Sequence, residues 1–537
     1  MRPQLQSLAL AAFLLAAACG GSPEPASESS AGDRWWRHIE FLASDDMKGR
    51  ETGSPEHHKA AEYVAGQFQE LGLKEAGTSG YLQPLDLVTR RLIEDESSLS
   101  LVRDGKETPL TLGEQAVLRQ VGDSGQPLEA EMVFVGYGMQ VPELEYDDFA
   151  GLDTKGKILV MLQGAPPEIP GALASHYQSS DESRKRFERS GAIAYVYIPN
   201  PRLTEIPWER AAEFRFQTSM DLADPALAIG LPTAKASVRV NPEHAEMLFD
   251  SSGHSFEEIL ALDREKKPLP KFALPGKLRA KVTLEQANAT SENVVAILPG
   301  TDPDLADEYV LLSAHLDHIG VGKPVNGDTI NNGAMDNASG VATLIEVARA
   351  LREGEAPRRS VLLLACTGEE KGLLGSRYYS ERPTVEMGQV VANVNLDMFL
   401  PIVPLTVARG YGLDESDIAD RLRAAASPMG VAVQPDPEPE RNIFIRSDQY
   451  NFIRKGVPAL FLGFGYEADS PEEKVFDEWF HTRYHSPSDD LEQPVDKEAA
   501  AKFNELMLTL TRELANDEAR PQWREDSFFR RFAAGAQ

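Results

Sequence analysis

His315-x-Asp317, Asp336, Glu369-Glu370, Asp397 and His485 supply imidazoles and carboxylates from five short segments spread over about 170 residues. Zinc binds imidazole nitrogen and carboxylate oxygen, and in catalytic sites it keeps a position open for water or substrate. Two such ions about 3.5–4 Å apart can share a bridging carboxylate and a bridging water. The residues divide on that plan. Asp336 is the bridge, His315 and Asp397 complete one position, and Glu370 and His485 complete the other. Glu369 is left over beside a ligand. It is placed to act as general base on the metal-bridging water and to return the proton to a leaving amine. Asp317, two residues past His315, can accept the other ring N–H of that imidazole and fix its tautomer. The metal pair would lower the pKa of the water and polarise a carbonyl under attack.

None of these segments is specific alone. His-x-Asp is common, Glu-Glu is usually a solvated pair, and Asp336-Asn337 before a helix has the chemistry of an N-cap. What they share is position, because each follows an apolar run or opens a helix. Two alternatives stand within the set: His318 competes with His315 in the tetrapeptide HLDH, and His481 competes with His485 on spacing.

The elements that must position these residues are legible from hydrophobic pattern. ENVVAILPG, EYVLLSAHLD, SVLLLACTGEE, VVANVNLDM and VPALFLGFG are apolar runs bounded by polar residues, and ASGVATLIEVARAL and EAAAKFNELMLTLTREL carry helical periodicity. Alternation of this kind predicts an α/β layer around a mixed, largely parallel sheet flanked by helices. Such sheets bind ligands beyond the carboxyl ends of their strands, where these residues fall. Residues 34–75 are predicted to be largely helical, with apolar Ala60, Tyr63, Val64, Phe68 and Leu71 on one face and His57 and His58 on the surface. From about residue 112 the pattern turns to short strands, AEMVFVGYG, GKILVMLQG, GAIAYVYIPNP and PTAKASVRVN, with SRKRFERS as a helix among them. This stretch contains no candidate ligand and reads as a β-rich inserted domain. The expected division is a signal peptide at 1–18, a tether at 19–33, a first part of the main domain at 34–111, the insert at 112–290, the chemistry-bearing part at 291–516 and a tail at 517–537.

The run Leu8–Ala18 is about the length of a signal-peptide core and too short for a permanent span. It leads into Cys19-Gly20-Gly21-Ser22 and resembles a bacterial lipoprotein signal, which implies lipidation of Cys19 and a cell-envelope location, with secretion as the alternative. Cys366 sits in the run VLLLAC and reads as a buried small hydrophobe. The formal net charge of -30 disfavours nucleic acid, whose binding rests on Lys and Arg contacts to phosphate.

GAMDNASG, TGEEKGLLGS, NLDM and YHSPSD together resemble the co-catalytic di-zinc aminopeptidases of the bacterial secreted type, in the wider group of glutamate carboxypeptidase II and transferrin receptor. VFVGYG, EYDDFAGLDTKGKILVMLQG and SGAIAYVYI resemble the protease-associated domain inserted in many members. The resemblance implies a zinc-peptidase fold, two zinc ions per chain on the residues assigned above, and a cis peptide at Asp336-Asn337. It also implies an oxyanion-stabilising tyrosine. Phe444 stands where some members have one, three residues before Ser447-Asp448, so Tyr484, beside His485, is the candidate. Met335 replaces an aspartate that precedes the bridge in many members. The implied activity is release of N-terminal residues from peptides. A carboxypeptidase or dipeptidase is the main alternative; a glutaminyl cyclase or a non-catalytic receptor-like protein is more distant.

Overall fold

The computed structural model describes residues 30–533, apart from 120, 122–125, 205, 439–440 and 442. Cys19 and the apolar leader lie outside the described residues. No helix among the described residues is long and apolar enough to cross a membrane.

Two sheets organise the chain. The larger has ten strands. Its centre is parallel: Ser360–Cys366, Tyr309–His315, Val390–Leu396 and Ala459–Phe464 lie side by side in that order. Every residue of Ser360–Cys366 is buried, the signature of a strand covered on both faces. The flanks are antiparallel, with Leu284–Leu298 and Leu82–Leu92 on one side and Val407–Tyr411 on the other. The sheet is thus mixed, with its parallel part confined to the middle. Strand direction is a property of the connections, which hydrophobic pattern does not encode. Helices Ala31–Leu42, Ser339–Glu353 and Lys497–Asn516 cover one face. Trp35 locks two of them together, donating from Nε1 to Ser339 O at 3.1 Å and Thr343 Oγ1 at 3.2 Å. Phe399 stacks on Phe503 with ring centroids 4.2 Å apart, joining the strand ends to the last helix.

The second sheet has eight strands and its own core. It begins before residue 112, because Ser98–Arg103 joins it by pairing to Phe272–Lys281 and Lys106–Pro109 pairs in turn with Ser98–Arg103, while Leu284–Leu298 already belongs to the large sheet. Ser98–Arg103 is fixed by a partner about 180 residues away, which a local pattern does not reveal. The insert also sends a strand back: Ser219–Leu222 pairs with Leu82–Leu92 at the edge of the large sheet.

The C-terminal segment is packed rather than trailing. Phe529 is fully buried against Trp523 and Phe444. Phe528 and Phe532 flank His176 of the insert, which is also 3.0 Å from Tyr450 Oη of the main domain. His57 is another departure from the expected surface position. It is fully buried, its Nε2 has no hydrogen-bond partner, and burial pushes its pKa down to about 4. His58 is the exposed member of the pair, with 53% of its side chain accessible. Helical periodicity fixes a face relative to its neighbours, and the turn before this helix rotates His57 inward.

One ion pair fastens the insert to the main domain. Asp181, buried at the start of the helix Ser180–Ser190, accepts from Arg377 at 2.8 and 3.1 Å and is paired to Arg454. Burial disfavours its charge, but the two arginines outweigh burial and hold the carboxyl down to about 2. An unfolded aspartate titrates near about 3.9, so the pair stabilises fully above that value and its contribution disappears as the pH falls toward the folded pKa. The shift corresponds to about 2 kcal/mol. Asp181→Asn is expected to lower the unfolding midpoint at pH 7, with the gap to the parent chain closing between pH 5 and pH 2. A gap that stays constant over that range in thermal unfolding would remove the ion pair as its cause.

Candidate metal centre

The parallel strands deliver the site. His315 is the last residue of Tyr309–His315, Asp397 follows Val390–Leu396, and Glu369 and Glu370 lie just past Ser360–Cys366. Adjacent parallel strands place all of these at one end of the sheet. Asp336 comes from the loop before Ser339–Glu353, and the Asp336–Asn337 peptide is cis, as the resemblance implied. His485 follows the helix Pro471–Thr482 at φ 51°.

The side chains meet in two clusters that share Asp336: His315, Asp336 and Asp397 form one, and His318, Asp336 and Glu370 the other. His315 Nε2 is 3.1 Å from an oxygen of Asp336 and 3.1 Å from one of Asp397. His485 Nε2 is 3.2 Å from Asp336 Oδ2 and 3.3 Å from Glu370 Oε2. Donors about 2.0–2.2 Å from a tetrahedral zinc lie roughly 3.3–3.5 Å from one another, so this spacing and donor chemistry suit the ion. Burial disfavours charge on His315, but Asp397 and Asp336 outweigh it and raise the pKa well above the usual range. Burial likewise lowers that of His485, and Glu370 and Asp336 push it up to about 10. The carboxylates draw positive charge onto whatever lies between them.

The structure brings together all five residues assigned as ligands, and it adds His318. That residue is fully buried, with Nδ1 2.8 Å from Glu370 Oε1, and neither ring nitrogen meets hydrogen-bond geometry. Taken from the sequence as a competitor of His315, it instead stands on the opposite side of Asp336. His481 is exposed on its helix, 2.7 Å from Asp477 O and away from the centre.

Asp317 does a different job from the one expected. His315 Nδ1 faces the backbone carbonyl of Asp317 at 3.0 Å, and the carboxylate is 3.9 Å away. The carboxylate instead accepts from the backbone N–H groups of Glu369 at 3.1 Å and Glu370 at 3.4 Å, and from Thr52 Oγ1 at 2.8 Å. It therefore sets the turn that carries Glu369 and Glu370. A two-residue spacing allows either contact, and only the chain's path after the strand decides between them.

Other supports are not legible as ligands. Asp489 accepts from the backbone N–H of Met335 at 2.9 Å and of Asp336 at 3.0 Å, fixing the loop of the shared carboxylate. Ser447 donates to Asp397 Oδ2 at 2.7 Å and accepts from Asn395 at 2.9 Å. Asn337 ties the start of the helix to the Asp397 turn through Leu396 O at 2.9 Å and Met398 N at 3.2 Å. The Ser-Asp-Asp run after His485 was the available signal for Asp489. Phe444 packs on Phe529 and is absent from the cavity lining, whereas Tyr484 lies against the His485 ring, centroids 4.0 Å apart, and does line it.

Glu369 is partly open to the same cavity. Burial, followed by the charges of Asp397, Glu370 and Asp448, raises its pKa well above the carboxylate range against the opposing pull of His315. The insert borders the approach: Phe214 meets the His485 ring edge to face at 6.0 Å, and Arg210 donates to His481 O at 3.2 Å.

The fold and the centre define a zinc-peptidase type of domain. Residues 293–511 match the model of Peptidase family M28. It is 28% identical to leupeptin-inactivating enzyme 1 of Streptomyces exfoliatus over 219 residues, 39% of this chain and 45% of that protein. It is 29% identical to probable leucine aminopeptidase 2 of Aspergillus oryzae over 222 residues, 39% of this chain and 42% of that protein. The chain therefore spans less than half the length of these curated relatives. Among solved structures, an aminopeptidase from Aneurinibacillus sp. strain AM-1 shares the fold with a TM-score of 0.55 at 19% identity, over 91% of this chain and 95% of that one.

Asp489 reaches the centre only through the backbone of its loop, and outer partners of this kind are worth about 10–100-fold in metal affinity. Asp489→Ala is expected to weaken zinc binding by that factor in a chelator competition titration. Unchanged affinity in a folded variant would show that the loop holds its position without the carboxylate.

Proposed function

We propose that the chain is a zinc-dependent exopeptidase that releases N-terminal residues from peptides, using two zinc ions per chain. The observation that carries this reading is the pair of donor clusters sharing Asp336, with Glu369 opening onto the same cavity. The metals, when bound, supply Lewis acidity and a more acidic water. His315, Asp336 and Asp397 would hold one ion, and Asp336, Glu370 and His485 would hold the other, with His318 beside Glu370. Glu369 accepts the proton of the attacking water and returns it to the leaving amine. Its environment, which favours the neutral acid, makes it a stronger base than an exposed carboxylate. Tyr484 donates its hydroxyl to the developing oxyanion. The cavity beside the centre is about 140 Å³, small against the roughly 300–1,000 Å³ of sites that engulf whole ligands. One residue fits there, and the rest of the peptide leaves through the wider cleft that the insert borders. That supports removal of a terminal residue, and the printed name of the Aspergillus relative supports the N-terminal end. The leader and Cys19 support a lipid-tethered enzyme of the cell envelope, acting on peptides there.

Three outcomes test this reading. Glu369→Gln is expected to lower kcat about 10²–10⁴-fold while metal analysis still finds close to two zinc ions per chain; near-normal turnover would exclude Glu369 as the base. Peptides with a free N-terminus should be cleaved and their N-acetylated forms spared, and equal cleavage of both would overturn the aminopeptidase assignment. Cys19→Ser should release the protein from the membrane fraction into the soluble one, and persistent membrane association would argue against a lipid tether.

A further inference from the structure

The far end of the small cavity holds a buried cation. Arg409, on the strand Val407–Tyr411, is only 7% exposed, yet it lines the same cavity as His315, Asp336, Glu369 and Asp397. Nε and Nη2 donate to Gln434 Oε1 at 3.3 Å, the hydroxyls of Tyr411 and Tyr466 also meet the side chain, and the guanidinium lies 4.3 Å from the centroid of the Tyr466 ring, so its neighbours are neutral. The field of Arg409 reaches Asp436, but no carboxylate among the described residues comes within 4.0 Å of the guanidinium. A buried charge without a counter-ion is expensive. The contact with the ring offsets part of that, on the order of 0.5–2 kcal/mol. Around it stand Tyr411, Phe461, Phe464, Phe476 and Phe480, so the wall is aromatic and the guanidinium is its buried charged feature. Arg441, paired to Glu438 at 2.8 Å, and Arg446 also line the cavity, as does Asp477, exposed on its helix. The cavity thus joins the carboxylates of the donor clusters to a buried guanidinium set in an aromatic wall.

We propose that Arg409 binds a carboxylate on the side chain of the substrate's N-terminal residue, so that the enzyme prefers peptides beginning with glutamate or aspartate. A guanidinium offers a planar fork that matches a carboxylate with two parallel hydrogen bonds, and desolvation inside an aromatic wall strengthens such a pair. The geometry assigns the residue as well as the charge. The small cavity takes the side chain next to the attacked carbonyl, while the peptide beyond that carbonyl faces the cleft shared with the insert. Leucine would fill the aromatic part but leave the guanidinium without a carboxylate partner.

This specificity rests on the aminopeptidase reading, and the test separates the two. Amide substrates with N-terminal Glu, Gln, Leu and Lys are compared for kcat/KM in the zinc-loaded enzyme and in Arg409→Gln. The expected result is at least a tenfold preference for Glu over its isostere Gln in the parent chain. Arg409→Gln should abolish that preference, and Arg409→Lys should retain part of it. Because Glu and Gln are compared within each variant, the ratio does not depend on the fraction of protein that folds. Cleavage of the panel without a Glu preference, or a preference that survives in Arg409→Gln, overturns the assignment of Arg409 and leaves the aminopeptidase reading intact. Failure to cleave any free N-terminal amide, with release of C-terminal glutamate instead, overturns both.

Discussion

Everything near the end of the sheet answers to one constraint, the crowding of buried negative charge. Asp317, Asp336, Glu369, Glu370, Asp397, Asp448 and Asp489 gather within a few side chains of one another, and most are largely withdrawn from solvent. Two like charges 4 Å apart repel by about 4 kcal/mol in the effective dielectric of a protein site. The fold meets this with donors in fixed places. Backbone N–H groups point at Asp317 and Asp489, a hydroxyl serves Asp397, and three histidines stand among the rest. Metal binding adds the largest positive charge to this arrangement. The same carboxylates that demand it also hold each other's loops in register.

Arg50 shows how far that demand reaches. It is fully buried, and although burial lowers its pKa to about 10, the fields of Asp489, Asp317, Asp336 and Glu370 oppose the loss of its charge. Its guanidinium donates to the carbonyls of Leu42, Asn332, Gly333 and Leu316 at 2.6, 2.6, 3.0 and 3.0 Å. One side chain thus joins the first helix, the Asp336 loop and the turn after His315. Its backbone sits at φ 46°, a region that costs roughly 1–2 kcal/mol for a residue with a side chain. That cost is sustained because the alternative is four unpaired carbonyls and an uncompensated anionic cluster.

How much of this was legible follows from the same distinction between local and long-range causes. The strands of the parallel centre and the helices covering them are written in local periodicity, and the residues at the strand ends carry their chemistry in their types. His315, Asp336, Glu370, Asp397 and His485 could therefore be read together. Arg50, Asp489 and Ser447 act by meeting backbone or side chains distant in sequence, and nothing near them in the chain records the partner. His318 was visible only as a competitor of His315, and the Asp317 contact was misjudged, since HLDH leaves the turn after the strand undetermined and that turn decides which atom faces the centre. The start of the insert was misplaced for a related reason. Ser98–Arg103 is a strand only because Phe272–Lys281 pairs with it.

The insert is then part of the site's design as much as an attachment to it. It returns Ser219–Leu222 to the edge of the large sheet, is held by Asp181 between two arginines, and is packed from beneath by the C-terminal aromatic residues. Those three fastenings fix the segment that carries Arg210 and Phe214 against the loop of His485. The metal centre alone would accept a carbonyl from any direction. With one side closed by the aromatic cavity and the other bordered by the insert, a peptide bound as proposed would have one short end to bury and one long end to leave in the cleft. On the proposed reading, the hydrolytic chemistry would come from the strand ends and restriction to a chain terminus from elements outside them, which is why the two separate so unevenly in the sequence.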